Sequence, residues 1–219
     1  MISAIIIITL WSGLLTFTLT TGPLHPLLTP LLVMIQGFLY TGLFITAHDA
    51  MHGTVSRSAR TNRIVGTLCA LLFAGLSYSR LYTNHHRHHA MPAHDTDDPD
   101  YHPSGRLIPW FTAFMVRYAT ISQLVGMAVA YNIFAHVFHI PQWVLLTYWI
   151  LPAFLGTFQL FYVGTYLPHR KPHTVDMRHN ARSMPKHHVL AFLACYFFGY
   201  HAEHHERPGI PWYRLWKYR

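Results

Sequence analysis

No Asp, Glu, Lys or Arg occurs between Met1 and Ala47. An uncharged stretch of that length excludes a soluble N-terminal half and suffices for two bilayer crossings. Cysteine is almost absent: Cys69 and Cys195 each sit alone inside an apolar run, which excludes a disulfide framework and leaves buried, inert thiols as the reading. Acids are scarce as well, eight against sixteen Lys and Arg, for a net charge of +8. Such a balance often signals a nucleic-acid partner, and its placement here argues against one. Every charged residue falls in segments that the crossings put on one side, while the loops around Thr20 to Pro26 and His139 to Gln142 carry none. By the positive-inside rule the charged face, and both termini with it, is cytoplasmic.

What is abundant is apolar: 52% of the 219 residues. Ile2 to Thr20 reads as a first crossing. A signal peptide is the alternative, but the segment has no basic leader and no small-residue cleavage site. GPLHP turns the chain into a second crossing, Leu27 to Ala47, whose length of about 31 Å at 1.5 Å per residue matches the hydrocarbon core. Ile64 to Tyr78 and Val189 to Tyr200 are too short to cross and are expected at the interface. Tyr118 to Phe138 makes a third crossing and Trp143 to Leu167 a fourth, kinked at Pro152. No repeat or linker appears. The expectation is an all-α integral membrane protein, one domain over 1–219, with about four transmembrane helices, short interfacial helices and a cytoplasmic histidine-rich helical cap.

Nineteen histidines are present, and three groups of them share a spacing. His48 and His52 lie four apart in HDAMH. His85, His88 and His89 stand at i, i+3 and i+4 in NHHRHH, and His201, His204 and His205 repeat that pattern in HAEHH. On helices each group presents imidazoles from one side, and neutral imidazole is the commonest metal ligand. A lone histidine is usually a hydrogen-bonded interface residue, whereas eight in three copies of one spacing at one membrane depth point to metal. Eight ligands exceed one tetrahedral ion and suit two, each with room for an exogenous ligand. Imidazole alone does not choose among iron, zinc and copper.

FITAHDAMHGTV, HHRHH followed by DPDYH, LFYVGTYLPH and FGYHAEHHERPGIPWYRL resemble the β-carotene ketolases, a branch of the membrane fatty-acid desaturase and hydroxylase superfamily. The boxes alone specify the superfamily, and their flanking words point to the ketolase branch, over about Phe38 to Leu215. The resemblance implies two non-haem irons, O₂ as co-substrate, and electrons from a donor such as ferredoxin with its reductase, in a bacterial inner or thylakoid-like membrane. It implies conversion of the C4 methylene of a β-ionone ring to a ketone, giving echinenone and canthaxanthin from a carotenoid dissolved in lipid. As iron ligands it implies His48, His52, His85, His88, His89, His201, His204 and His205, with His169 of LPH a ninth that also reads as a polar cap on the fourth crossing. His86 offers another frame for the second box, and His85 is preferred because it reproduces the spacing of the third. His94, His102, His136, His139, His173, His179, His187 and His188 read as loop or interface residues.

Asp49 and Glu203 lie inside the boxes, where a carboxylate can accept the second ring N–H of a ligand imidazole. The alternative is a solvated charge or an ion pair with Arg87 or Arg207. DTDDPD reads as a solvated, turn-forming acidic loop, with positioning of the second box as the alternative and its acids poor candidates for metal ligands. Phe44, Phe158, Phe161, Tyr162 and Tyr166 are candidates to line a substrate channel, with plain helix packing or lipid contact as the alternative. Oxidising an unactivated C–H bond requires a redox metal that activates O₂ while the protein orients the substrate; two hydroxylations at C4 and loss of water then give the ketone. A fatty-acyl desaturase and a carotenoid C3 hydroxylase share the same spacing. A metal transporter is the reading from another class, and it needs ionisable groups along the crossings, which are nearly bare of them.

Overall fold

In the computed structural model the described residues, 1–22 and 24–219, form helices and loops with no strand among them. The first helix, α1 (Ile2–Thr21), is apolar all round. It buries only Ala4, Ile7, Trp11, Leu15 and Thr18, one stripe at three- and four-residue spacing, and exposes the rest of its surface. Pro23, the first proline of the GPLHP turn, lies outside the described residues. The second helix, α2 (Leu28–Met51), is the axis of the molecule: from Gln36 to Met51 all but two residues are buried, and it packs against α1, α3 and the long helix near the C-terminal half. It carries HDAMH at its end, so the first box is inherited from the best-packed element.

Beyond it, α3 (Ala59–Ala74) begins on the side-chain cap of Ser58 and ends where Gly75 adopts a left-handed conformation, φ 67°. Ser77 caps the next helix, α4 (Tyr78–Ala90), which departs at 104°. This bend is why the short apolar run around residue 70 does not continue across. The sequence gives no warning of α5 (Leu107–Tyr118), which meets α6 (Ile121–Asn132) at 84°. The expected third crossing therefore starts at Ile121 instead of Tyr118. A reciprocal pair sets the boundary: Thr120 Oγ1 accepts from Gln123 N at 3.1 Å and Gln123 Oε1 accepts from Thr120 N at 3.3 Å. A π-turn, Ile133–Val137, extends α6 to the tight turn at HIPQ.

The fourth expected crossing is one 28-residue helix, α7 (Gln142–His169), containing π-turns at Leu146–Ile150 and Tyr162–Tyr166. The first π-turn ends just before Pro152, where a proline ring would otherwise crowd the preceding helical turn. Three helices, α1, α2 and α7, are each long and apolar enough to cross a membrane, and five crossings result if each bent pair is one span. Three short helices finish the chain: α8 (His188–Cys195), α9 (His201–Glu206) and α10 (Trp212–Leu215).

The contact of α2 with α7 rests on two glycines. A Cβ on Gly156 would sit 2.9 Å from the carbonyl of Gly37, whereas one on Gly37 would meet its nearest neighbours at 3.4 Å. Between apolar helices in lipid, close backbone approach replaces the hydrophobic effect as the source of association. Gly156→Ala is expected to cost about 1–3 kcal/mol and to lower the melting temperature in detergent, with Gly37→Ala near wild type; equal melting temperatures for both variants would contradict this packing.

Candidate metal centre

Nine histidines converge beneath the ends of α2 and α7, and they divide into two groups. His48, His52, His85, His89 and His204 form one; His88, His169, His201 and His205 form the other. Within each, the nearest ring nitrogens lie within 4.8 Å of one another. Helical phase explains the division. At 100° per residue, i and i+4 point 40° apart, while i+3 lies 100° from i+4. In α4, His85 and His89 therefore join the first group and His88 turns to the second. In α9, His201 and His205 join the second group and His204 turns to the first. The helices of the second and third boxes thus serve both groups, while the first box, His48 and His52, serves the first alone.

The contacts are made through Nε2. His52 meets His85 at 2.7 Å, and His204 meets His89 at 2.9 Å and His48 at 3.1 Å. In the second group His169 meets His201 at 3.0 Å, and His205 meets both His201 and His88 at 3.1 Å. Two members have their tautomer set from outside: His88 Nδ1–H donates to Asp98 at 2.9 Å, and His169 Nδ1–H donates to the carbonyl of Asn180 at 3.0 Å. Their Nε2 atoms are therefore bare lone pairs aimed inward. The Nδ1 atoms of His48, His201 and His205 are buried with no protein partner. Burial, and then the repulsion of neighbouring imidazoles, holds His201, His204 and His205 well below the ordinary imidazole range; burial followed by His86 pushes His52 down to about 4. Neutral imidazoles whose lone pairs face one another fit a cation in each group, and so the residues present suit two metal ions.

Placement distinguishes the candidates. His85 belongs to a group; His86 stacks on Tyr82 at 4.1 Å and its Nδ1–H donates to the Tyr82 carbonyl. His169 is 1% exposed and lies inside the second group, with His88, His201 and His205. The two carboxylates inside the boxes do not back an imidazole. Asp49 Oδ2 accepts from Trp212 N at 3.2 Å, and its nearest approach to His48 Nδ1 is 3.6 Å. Glu203 accepts from Ser183 Oγ and pairs with Arg219 at 3.1 Å, in place of the expected Arg87 or Arg207. Both act as clasps that tie chain segments to the box helices.

The backing carboxylate comes instead from the acidic loop. Asp98 is 3% exposed and accepts from three donors: His88 Nδ1, Ala93 N at 2.7 Å and Asp100 N at 2.8 Å. Burial opposes its ionisation, but the hydrogen bond and charge of His88 prevail and hold the carboxyl below its usual range. Asp100 in turn accepts from Tyr118 Oη, and burial pushes its carboxyl up. The solvated reading of DTDDPD holds for the exposed Asp95, Thr96 and Asp97 and gives way at Asp98 to the alternative of positioning the second box, where the loop returns under α4 after Ala93 at φ 56°. No spacing rule encodes that return; the available signal was an acid about ten residues beyond a box.

A cavity of about 290 Å³ opens onto both groups at once, touching His48 and His85 of one and His88 and His201 of the other. Its remaining wall is mostly apolar, from α2, α5, α6 and α7, and includes Phe44 as expected. The other four channel candidates lie elsewhere. Phe161 is fully buried with Trp110, Phe111 and Phe114; Tyr166 packs on Trp110; Phe158 stacks on Tyr162 at 5.8 Å against Phe111. They occupy the face of α7 that meets α5, while Trp149, Ala153, Thr157, Leu160 and Gly164 occupy the cavity face. Phe198, which also lines the cavity, lies 4.7 Å from His48 and 5.1 Å from His201, and a Cβ on Gly164 would strike its ring at 2.7 Å.

Fold and site together define a helical membrane protein that presents two clustered imidazole sets to one apolar cavity. Residues 23–133 and 107–219 match the fatty acid desaturase family. The chain is 38% identical over 210 residues to the β-carotene ketolase of Paracoccus sp. (strain PC1), covering 94% of this chain and 86% of that one. It is 38% identical over 190 residues to β-carotene 4-ketolase 3 of Haematococcus lacustris and 42% identical over 187 residues to zeaxanthin 4-ketolase of Chlamydomonas reinhardtii, in each case over 83% of this chain. The matches span 59% and 42% of those two algal proteins. This chain therefore belongs to the fatty acid desaturase family, in the branch of the β-carotene ketolases.

Two outcomes are expected. His169→Ala should lower bound metal by one ion per chain while His86→Ala leaves it unchanged, read by elemental analysis of purified protein. His52, His201, His204 and His205 are held below the ordinary imidazole range in the fold and protonate near pH 6.5 once exposed, whereas at His88 burial is outweighed by the hydrogen bond and charge of Asp98 and the shift is upward. Stability of metal-stripped protein is then fully present above pH 6.5 and falls on acidification through 6.5 towards the folded values, such as about 4 for His52. Melting temperatures flat from pH 8 to pH 5 would refute it.

Proposed function

We propose that this chain is an O₂-dependent, di-iron membrane oxygenase that converts the C4 methylene of a β-ionone ring to a ketone. The observation that carries the reading is the cavity: it is largely apolar, reaches members of both histidine groups, and is bounded by helices that the bilayer would surround. Its substrate would be a carotenoid that stays in lipid, with one ring against the histidines and the polyene along α6 and α7. The nine imidazoles would hold two irons, and when bound these supply the O₂ activation and C–H oxidation that no side chain here can perform.

The chain's own residues have the work of binding and orientation. Trp149, Ala153, Leu160 and Phe198 would fix which ring carbon faces the histidines, and a misplacement of about 1 Å is enough to lose most of the rate. The apolar wall keeps water away until the second hydroxylation at C4, after which the geminal diol loses water to become the ketone. Each hydroxylation needs two electrons, supplied from outside by a ferredoxin-type donor with its reductase. Exposed cations near the boxes, including Arg87, Lys186 and Arg207, offer an acidic donor a docking surface on what would be the cytoplasmic face.

Expression in a host that makes β-carotene tests the assignment. Echinenone and canthaxanthin are the expected pigments, and His88→Ala and His204→Ala should abolish them while the protein still inserts. A hydroxyl at C3, or an altered acyl double bond with unchanged pigment, would transfer the chain to a neighbouring activity. Ala153→Phe, which fills the cavity, should cut ketone yield at least tenfold with bound metal unchanged; full turnover would exclude this cavity as the substrate site.

A further inference from the structure

The two histidine groups are not supported alike. In the second, His88 Nδ1 is held by a carboxylate whose side chain is wholly buried, and that carboxylate is itself fixed by two backbone N–H groups. In the first, the nearest carboxylate to any described member is Asp49, 3.6 Å from His48 Nδ1 and engaged with Trp212 N, and His48 Nδ1 has no protein partner. The groups also differ in ligand number, five against four.

We infer that Asp98 is the positioning residue of the four-histidine site alone, and that it makes the two metal sites unequal, so that one ion of the pair depends on the acidic loop and the other does not. This rests on the reading of the nine imidazoles as holding two metal ions. A carboxylate behind an imidazole orients the ring and raises the basicity of the opposite nitrogen. Three N–H donors meet Asp98, and only a carboxylate accepts from all three without offering a donor back. An asparagine there keeps the shape but sets its NH₂ against an N–H of Ala93, Asp100 or His88. The penalty falls on the orientation of His88, because Asp98 touches no other histidine of either group. The remainder of the loop extends the support outward: Asp100 anchors Asp98 through its backbone and accepts from Tyr118, which lines the cavity. Loop, cavity wall and His88 are thus joined in one hydrogen-bonded chain.

The test is metal binding by purified full-length protein, independent of turnover. Ferrous iron is titrated against a chelator and bound metal is counted by elemental analysis. Wild type should hold two ions per chain; a chain that holds none overturns the two-metal reading itself. Asp98→Asn should hold one ion at wild-type affinity and the other about 10- to 100-fold more weakly, whereas Asp97→Asn, in the exposed part of the same loop, should match wild type. Double variants locate the weakened site: Asp98→Asn with His205→Ala should lose no more than His205→Ala alone, and Asp98→Asn with His52→Ala should hold neither ion at wild-type affinity. Two ions at wild-type affinity in Asp98→Asn, or equal weakening of both, overturns the inference while leaving the two-metal reading intact. Where Asp98→Asn does not accumulate in the membrane, Asp98→Glu carries the same comparison, with the same one-sided weakening expected and two unaltered ions counting against it.

Discussion

Nine imidazoles pressed into one buried volume can persist only if most of them stay uncharged, His88 having a carboxylate behind it, and if something lies between their lone pairs. That constraint shapes the rest of the molecule. Nε2 atoms 2.7 to 3.1 Å apart leave room for one proton per pair at most, and burial with mutual repulsion works against adding further protons. A divalent cation in each group satisfies every inward lone pair together, which a hydrogen-bond network confined to the nine rings cannot do, since His88 and His169 have already committed their protons outward. The helices can then be seen as a frame for holding that geometry. α2 brings the first box down from the best-packed part of the protein, and α7 delivers His169 at its end.

Clasps from distant parts of the chain hold the short box helices in register. α9 is six residues long and has little stability of its own. It is secured by Glu203 to Ser183 and Arg219, and by ring contacts to His48, His88, His89 and His169. Asp49 performs the matching service between α2 and α10 by accepting from Trp212 N. Asn180 links two segments, taking the His169 proton on its carbonyl and donating its side-chain N–H to Pro92 O at 3.1 Å. Polar groups inside this cap are therefore mostly spent on fixing positions, and the cavity on its membrane side is left apolar for a greasy substrate.

Much of this was legible in the sequence. The boxes announce their helices, and the charge-free runs announce α1, α2 and α7, because each rests on a local rule of period or length. The division of the second and third boxes between two groups follows from helical phase, yet it shows only when partners at the end of α2 and α7 are in place to receive the diverging rings. Three features had little or no local signal. The run from Leu107 to Tyr118 is apolar enough to pass for the start of a span, and only the Thr120 and Gln123 pairing marks the break. α7 is apolar on every side, so periodicity could not tell the face bearing Phe158, Phe161, Tyr162 and Tyr166 from the face that lines the cavity. The DTDDPD loop has the composition of a solvated turn and becomes interior through the return at Ala93, a tertiary event.

The acidic loop illustrates how the same residue types acquire opposite roles. Glu203 sits inside a box and turns away from the imidazoles, whereas Asp98 sits ten residues from His88 and supports it. Position along a helix decides the first case: at i+2 from His201 and one residue before His204, Glu203 lies far from the ring-bearing face. Reach decides the second, since only a segment doubling back under α4 can approach the Nδ1 side of a ring whose Nε2 already points inward. A carboxylate can stand behind an imidazole only from outside the helix that carries it, or from a turn away on the same face. HAEHH offers neither, and a search for backing acids in this architecture should therefore begin in the loops that follow the boxes.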